Sequence, residues 1–156
     1  MIQRVQTIYL LLAIICMVCM FVFPIGLFQA DGIEYLLTYN GLQSETGQEI
    51  EVTANVILLF TIPMILLVLI IQMLYFKKRP LQLRLGRVLY LLLATLIAST
   101  VYLMTENQTH LPSPEIAEVQ YGIGFYLPIA AIVFEFLANR SIRKDEELVK
   151  SLDRLR

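Results

Sequence analysis

The chain has 156 residues, of which 58% are apolar and 16% are charged, and its formal net charge is −1. Soluble domains contain about 45–50% apolar and about 25% charged residues, and a domain of this size cannot bury the excess because its surface is large for its volume. The composition therefore excludes a soluble globular domain and a disordered chain. Two cysteines are too few for a disulfide scaffold. The remaining environment is a lipid bilayer.

Four stretches with little charge predict the membrane spans. They cover about residues 5–28, 52–76, 82–105 and 118–139, followed by a tail at 140–156. About 20 helical residues cross a hydrocarbon core of about 30 Å, so each stretch is long enough. Backbone groups must be paired within lipid, and Leu-rich runs without alternation do not fit a barrel. We therefore expect an all-α membrane protein, a four-helix transmembrane bundle that forms one domain over residues 1–156.

The basic residues predict the orientation of this bundle. All twelve Lys and Arg residues fall on one side, in the amino terminus, the loop between the second and third helices, and the tail. The outer loops have no basic residue and carry eight of the thirteen acidic residues. The positive-inside rule therefore predicts that both termini are cytoplasmic.

Two segments outside the spans have local signals of their own. The first outer loop contains a β-rich run, Ile33–Tyr39, followed by Asn40-Gly41, a pattern typical of a short β-hairpin. The tail has apolar residues at near-helical spacing, and its acids precede its bases, which suits a helix dipole. We expect an amphipathic cytoplasmic helix that either lies on the membrane surface or docks to a cytoplasmic protein.

Glu135 is the one ionisable residue that lies inside a span away from its ends. An intramembrane acid is a functional hypothesis by default. Glu135 is close to the predicted cytoplasmic interface, where Arg84, Arg87 or Arg140 could reach it by extending along the helix. We favour a structural ion pair with one of them, and an ion- or proton-binding role is the alternative.

The second and fourth helices each contain a proline, Pro63 and Pro128, after an aromatic residue three positions earlier. Each proline removes a helical hydrogen bond and should kink its helix. The first and third helices also share a Tyr-Leu-Leu-Leu-Ala run. These matches suggest two copies of a helical hairpin, and chance similarity between Leu-rich spans is the alternative.

Other chemistry has little support. Cys16 and Cys19 form a C-x-x-C motif within the first span, where redox use would need a thiolate at the membrane surface, so we favour thiols that act as small apolar side chains. His110 is the only histidine, so His and Cys cannot supply a metal site of three or four ligands. We predict no cofactor, no nucleic-acid binding and no enzymatic activity.

The two ends of the chain resemble a known family. The opening run MIQRVQTIYLLLA (residues 1–13) and the closing run LANRSIRKDEELVKSLDRLR (residues 137–156) are similar to the ends of a family of small inner-membrane proteins from Bacteroidetes, designated domain-of-unknown-function family four-two-nine-three. The middle of the chain is matched only by hydropathy. The resemblance implies a four-span protein of the bacterial cytoplasmic (inner) membrane. It supplies no catalytic residues and suggests that the tail is a contact surface.

The leading functional hypothesis is a non-enzymatic accessory or scaffold subunit. Its partners would be the lipid bilayer and another membrane protein or further copies of itself, contacted through Gln3 and Arg4, the loop Lys77–Arg87 and the tail. The alternative is a small oligomeric transporter or channel that uses Glu135 and the kinked second and fourth helices. Such a protein would have a polar cavity lined by Asn55, Gln72 or Glu135. A third hypothesis is a thiol enzyme built on Cys16 and Cys19.

Overall fold

The computed structural model describes residues 3–30, 33–44, 56–76, 78–109 and 118–154, with side chains described from residue 5 to residue 148 of these ranges. Asn55, Lys77, His110 and the side chains of Gln3 and Arg4 lie outside the described part. Helices and strands follow one another along the chain. In chain order they are α1 (Gln3–Cys19), β1 (Gly26–Ala30), β2 (Ile33–Thr38), β3 (Gly41–Ser44), α2 (Val56–Leu74), α3 (Arg79–Thr109), β4 (Glu118–Tyr121) and α4 (Ile123–Arg154).

Each helix packs mainly against two others. The helix α1 contacts α2 and α4, and α3 contacts the same two helices on the other side. The chain reverses between α2 and α3 in a tight turn, where the Lys78 N–H donates to the Tyr75 carbonyl at 2.9 Å. Spacings of three and four residues place one face of each helix in the core. On α2 this face comprises Leu58, Ile62, Ile65, Leu69 and Gln72.

Three of the helices in the described part of the chain are long and apolar enough to cross a membrane. They are α2, α3 and the Ile123–Leu148 part of α4. The helix α1 is apolar over Val5–Cys19 but is shorter than a typical span. The chain therefore has the helices of a membrane protein. Of the four spans that the sequence predicts, three correspond to described helices of full span length.

The first predicted span differs from the structure. The span was expected over residues 5–28, but α1 ends at Cys19 and Gly26–Ala30 is a strand. Pro24 has no N–H to continue the helical ladder, and it disfavours helical geometry at Phe23. The β1 segment then alternates, with Phe28 and Ala30 buried and Gln29 exposed. Alternation of this kind is a strand pattern, and it is hidden in the sequence by the long apolar run before it.

The strands form one antiparallel sheet in the order β3-β2-β1-β4. The predicted hairpin is confirmed as β2 and β3, with Gly41 at φ 138° after the turn, a conformation that glycine adopts at little cost. The sheet is larger than a hairpin, because it also takes in the ends of the first and fourth predicted spans. The fold is mostly helical with a small sheet, and the expectation of an all-α protein is corrected to that extent.

The sheet closes one end of the helices. The Gly122 N–H donates to Ile25 O and the Gly124 N–H to Pro24 O, both at 2.9 Å, which ties the start of α4 to the chain after α1. A Cβ atom at Gly26 would overlap the sulfur of Met104 in α3, so the sheet also lies close against the end of α3. The opposite end of the helices carries the exposed basic side chains.

The tail is helical as predicted and is continuous with the fourth helix. The helix α4 runs without interruption from Ile123 to Arg154. Within its described side chains, Ile142 and Asp145 are buried and Arg143 and Lys144 are exposed. One face of the tail therefore packs against the protein, and the side chains of residues 149–156 lie outside the described part.

Candidate functional site: a buried polar cluster

Glu135 lies in the core between helices. Its side chain has no exposed surface. One carboxylate oxygen, Oε1, accepts hydrogen bonds from Gln72 Nε2 of α2 at 2.9 Å and from Asn139 Nδ2 at 2.7 Å. The carboxylate therefore connects α4 to α2 and is held from two directions.

The helical repeat explains why these residues meet. Asn139 follows Glu135 by one turn and shares its face of α4. Gln72 is the last residue of the buried α2 face, whose earlier positions are all apolar. On α3 the buried face begins with Gln82 and Gly86 and is apolar over the next three buried positions. The buried side chains of Gln72, Gln82 and Asn139 therefore lie together at the end of the helices that is away from the sheet.

Two further contacts complete the cluster on α3. Gln82 Nε2 donates to the main-chain oxygen of Gln72 at 2.9 Å, and Asn139 Nδ2 donates to the Tyr90 hydroxyl at 3.2 Å. Gly86 makes room for Asn139, because a Cβ atom there would lie 2.7 Å from the amide carbon Cγ. The polar cluster, defined as Gln72, Gln82, Tyr90, Glu135 and Asn139, therefore joins α2, α3 and α4.

A second buried polar contact lies about three turns further along α4. Gln6 of α1 donates to the Asp145 carboxylate of α4, and both side chains are 5% exposed. Arg79, at the start of α3, donates to the main-chain oxygen of Asp145 at 3.4 Å. Asp145 thus joins α1 and α3 to α4, although its position in a charged tail predicts a solvated side chain.

In the two sites, the buried side-chain atoms that have no hydrogen-bond partner among the described residues are all oxygens. Five of their residues each have one buried side-chain oxygen without a hydrogen-bond partner in the described part of the chain. These residues are Gln72, Gln82, Glu135, Asn139 and Asp145. A proton on Glu135 would turn an acceptor into a donor, and a cation would be coordinated by such oxygens. The arrangement is suited to holding a proton or a cation, as well as to joining helices.

The predicted ion pair of Glu135 differs from what the structure shows. Arg84, Arg87 and Arg140 are all exposed, and within the described residues both groups that donate to Glu135 are amides. Five residues of helix turn by about 500°, so Arg140 points about 140° away from Glu135. The spacing of four residues to Asn139 was the local signal for the true partner, and nothing local to Glu135 indicates Gln72.

A groove of about 460 Å³ reaches the cluster from the surface between α3 and α4. Tyr90 and Asn139 line it, and basic residues of α4 surround its outer part. Asn139 therefore has two neighbours, the groove on one side and Glu135 on the other. Through Asn139, the groove connects the polar cluster with the basic residues at the end of the helices.

The remaining predicted site residues are not part of the cluster. Cys16 and Cys19 are free thiols and half-buried on α1. Pro63 and Pro128 both lie inside continuous helices, and Pro63 is exposed whereas Pro128 is buried.

Nearly the whole chain matches one protein family. The family model described as "Domain of unknown function (DUF4293)" matches residues 2–155. The chain belongs to the DUF4293 family. The match covers all but the first and last residues of the two terminal runs that carry the resemblance, together with the helices and the sheet. Neither the curated proteins nor the solved structures gave a match.

Proposed function

We propose that this DUF4293 protein is a non-enzymatic subunit of the bacterial inner membrane, whose four helices cross the bilayer and whose basic end contacts another membrane complex from the cytoplasmic side. The observation that carries the proposal is the length of α4. Its 32 residues correspond to about 48 Å, against a hydrocarbon core of about 30 Å. About a third of this helix therefore extends past the hydrocarbon core as a continuous rod.

Contacts at both ends of α1 support a fourth crossing. Gln6 bonds to Asp145, and the chain just after α1 bonds to Gly124 through Pro24. From Gly124 to Asp145, α4 rises about 31 Å. Because residues 6–24 run beside all of that segment, they cover the same depth, even though α1 itself is short.

The charge distribution supports the orientation. Arg84, Arg87, Arg140, Arg143 and Lys144 are exposed at the end of the helices away from the sheet. Glu34 and Glu118 lie on the sheet. The positive-inside rule assigns the basic end to the cytoplasm, so the extended part of α4 would project there.

The anchoring of α4 supports a role in contacting a partner. Asp145 is held by Gln6, near the start of α1, and by Arg79, at the start of α3. A rod fixed at its base presents its side chains at a defined angle, which lowers the entropy lost when a partner binds.

The test is a truncation with a matched control. The protein is cross-linked in native membranes and purified, either intact, or without residues 149–156, or with those eight residues in scrambled order. We expect one membrane complex to co-purify in fixed ratio with the intact chain and to be lost from both variants, while thermal unfolding in detergent is unchanged. Retention of that complex by the truncated chain, or a tagged form of the complex that does not recover this protein, would contradict the proposal.

A small oligomeric transporter or channel is the second candidate. The observation in its favour is the polar cluster, in which the buried Glu135 lies next to Asn139 and thus next to the groove. Proteoliposomes with a pH-sensitive or a potassium-sensitive dye would report a proton or cation flux. Glu135→Gln should abolish such a flux, whereas Glu106→Gln, at an exposed acid near the sheet end of α3, should not. Equal fluxes from protein-containing and empty liposomes would remove this candidate.

A further inference from the structure

The groove between α3 and α4 has a chemical gradient along its length. Its lining on α4 recurs every three or four residues, from Phe136 through Arg140, Arg143 and Lys144 to Glu147, so it follows one face of the helix. Phe136 lies nine residues before Asp145, about 14 Å closer to the sheet end of the helix. With the basic end at the cytoplasmic face, as proposed above, the groove begins at the depth of lipid acyl chains and ends at the depth of the headgroups.

The headgroup part of the groove is strongly basic. Arg140, Arg143 and Lys144 face a single acid, Glu147, so the lining has a net charge of +2. The three cations are exposed, and like charges brought this close repel one another. An anion between them would remove that repulsion, and arginine can bind two phosphate oxygens at once.

The floor of the groove supplies a further donor. The Tyr90 hydroxyl accepts a hydrogen bond from Asn139, and its own O–H has no acceptor among the described residues. A tyrosine in this state can donate to an oxygen in the groove. The site thus combines two guanidinium groups, an ammonium group and a hydroxyl donor, next to an aromatic wall.

We infer that this groove binds one anionic phospholipid of the cytoplasmic leaflet. Its phosphate lies among Arg140, Arg143 and Lys144, and an acyl chain runs along Phe136. A free phosphate would use only the basic part, whereas a lipid also covers Phe136, which is 55% exposed. Basic pockets between membrane helices on the cytoplasmic side are suited to such headgroups. The inference rests on the membrane insertion and orientation proposed above, and it requires no protein partner.

The experiment measures lipid binding to the purified full chain by native mass spectrometry. The protein is delipidated in a mild detergent and titrated with phosphatidylglycerol or with phosphatidylcholine of the same acyl chains. We expect one phosphatidylglycerol to be retained per chain and phosphatidylcholine to bind at least about tenfold more weakly. The double variant Arg140→Gln/Arg143→Gln should weaken phosphatidylglycerol binding by about tenfold or more.

The matched control removes the same charge at the same end of the protein. Arg84 and Arg87 are exposed on α3 and lie outside the groove, so Arg84→Gln/Arg87→Gln should change the binding by less than about twofold. Lys144→Gln alone should weaken binding by about fivefold and serves if the double variant does not fold. Thermal unfolding of each variant reports its folding.

Three results would overturn the inference. An equal loss in both double variants would mean that general surface charge attracts the lipid. Equal retention of the two lipids would mean that the groove binds acyl chains and does not distinguish an anionic headgroup from a zwitterionic one. Displacement of phosphatidylglycerol by millimolar inorganic phosphate, with no dependence on acyl-chain length, would mean that the site takes free phosphate.

Discussion

Replacing Gly86 with alanine should expose how tightly α3 and α4 are packed around the polar cluster. The added Cβ would lie 2.7 Å from Asn139 Cγ, so the amide must turn away. Asn139 would then lose its bonds to Glu135 Oε1 and to the Tyr90 hydroxyl. Hydrogen bonds within membrane proteins contribute about 0.6 kcal/mol on average and up to about 1.7 kcal/mol, so the loss is about 1–3 kcal/mol.

A second effect has the opposite sign. Alanine stabilises a helix by about 1 kcal/mol relative to glycine, so the net change for Gly86→Ala is expected between about zero and 2 kcal/mol of destabilisation. Asn139→Ala removes the amide that the new Cβ would meet. In that background Gly86→Ala should stabilise the protein by about 1 kcal/mol, and the two changes should be coupled by about 1–3 kcal/mol.

The assay is reversible unfolding in mixed detergent micelles with increasing dodecyl sulfate. It compares the original protein, the two single variants Gly86→Ala and Asn139→Ala, and the double variant. The free energy of unfolding of each chain enters a double-mutant cycle, in which the coupling is separated from the helix propensity common to both backgrounds. If Gly86→Ala stabilises the protein equally with and without Asn139, then the close approach of α3 to Asn139 is wrong, and so is the reasoning built on it.

Contacts elsewhere in the molecule give three other predictions. Gly122→Ala should destabilise the protein by about 1–3 kcal/mol, measured by the same unfolding assay, because its Cβ would overlap the main-chain oxygen of Pro24, which cannot rotate away. Gln6→Leu should cost about 1–3 kcal/mol, because it leaves the buried Asp145 carboxylate without that donor; thermal unfolding in detergent measures the loss. Alkaline phosphatase fused after Ser44, in the sheet, should be active in a bacterial host, because that fusion point is expected outside the cytoplasm.

Each of these predictions has its own control. Ile123 is 59% exposed, so Ile123→Ala next to Gly122 should change the free energy of unfolding by less than about 0.5 kcal/mol. A loss equal to that of Gly122→Ala would show that any change at this point destabilises the protein, and that the contact with Pro24 is not the cause. The control for Gln6→Leu is Gln43→Leu. Because Gln43 is exposed, this change should leave thermal unfolding in detergent unchanged. A fusion after Arg84, at the basic end, should be inactive as a phosphatase. Activity at that site together with inactivity at Ser44 would reverse the proposed orientation.

Local patterns were sufficient for much of the helical part of the fold. Helices α2 and α3 and the membrane part of α4 each bury a stripe with three- and four-residue spacing and expose apolar side chains elsewhere. The Asn40-Gly41 turn likewise follows from the conformational freedom of glycine within four residues of chain. In both cases the information lies within a few turns of helix or a single hairpin, so the sequence alone is enough.

The edges of the spans could not be predicted in the same way. Residues 26–30 and 118–121 were expected to extend or adjoin the neighbouring helices, yet they pair with each other as β1 and β4. A strand becomes stable only when its partners supply hydrogen bonds, and here the two strands are far apart in the chain. Only Pro24 gave a local hint that the first helix stops early.

The sequence by itself determined that this DUF4293 protein is an apolar, mostly helical chain whose Lys and Arg residues are confined to three short segments, because composition and charge are properties of each segment alone. The tertiary structure decided what Glu135 and Asp145 touch: Gln72 lies 63 residues from the first and Gln6 139 residues from the second. Both acids have charged neighbours in the sequence that suggest other roles. Packing instead brings amides from distant helices to them, because a buried carboxylate must find its donors wherever the fold provides them.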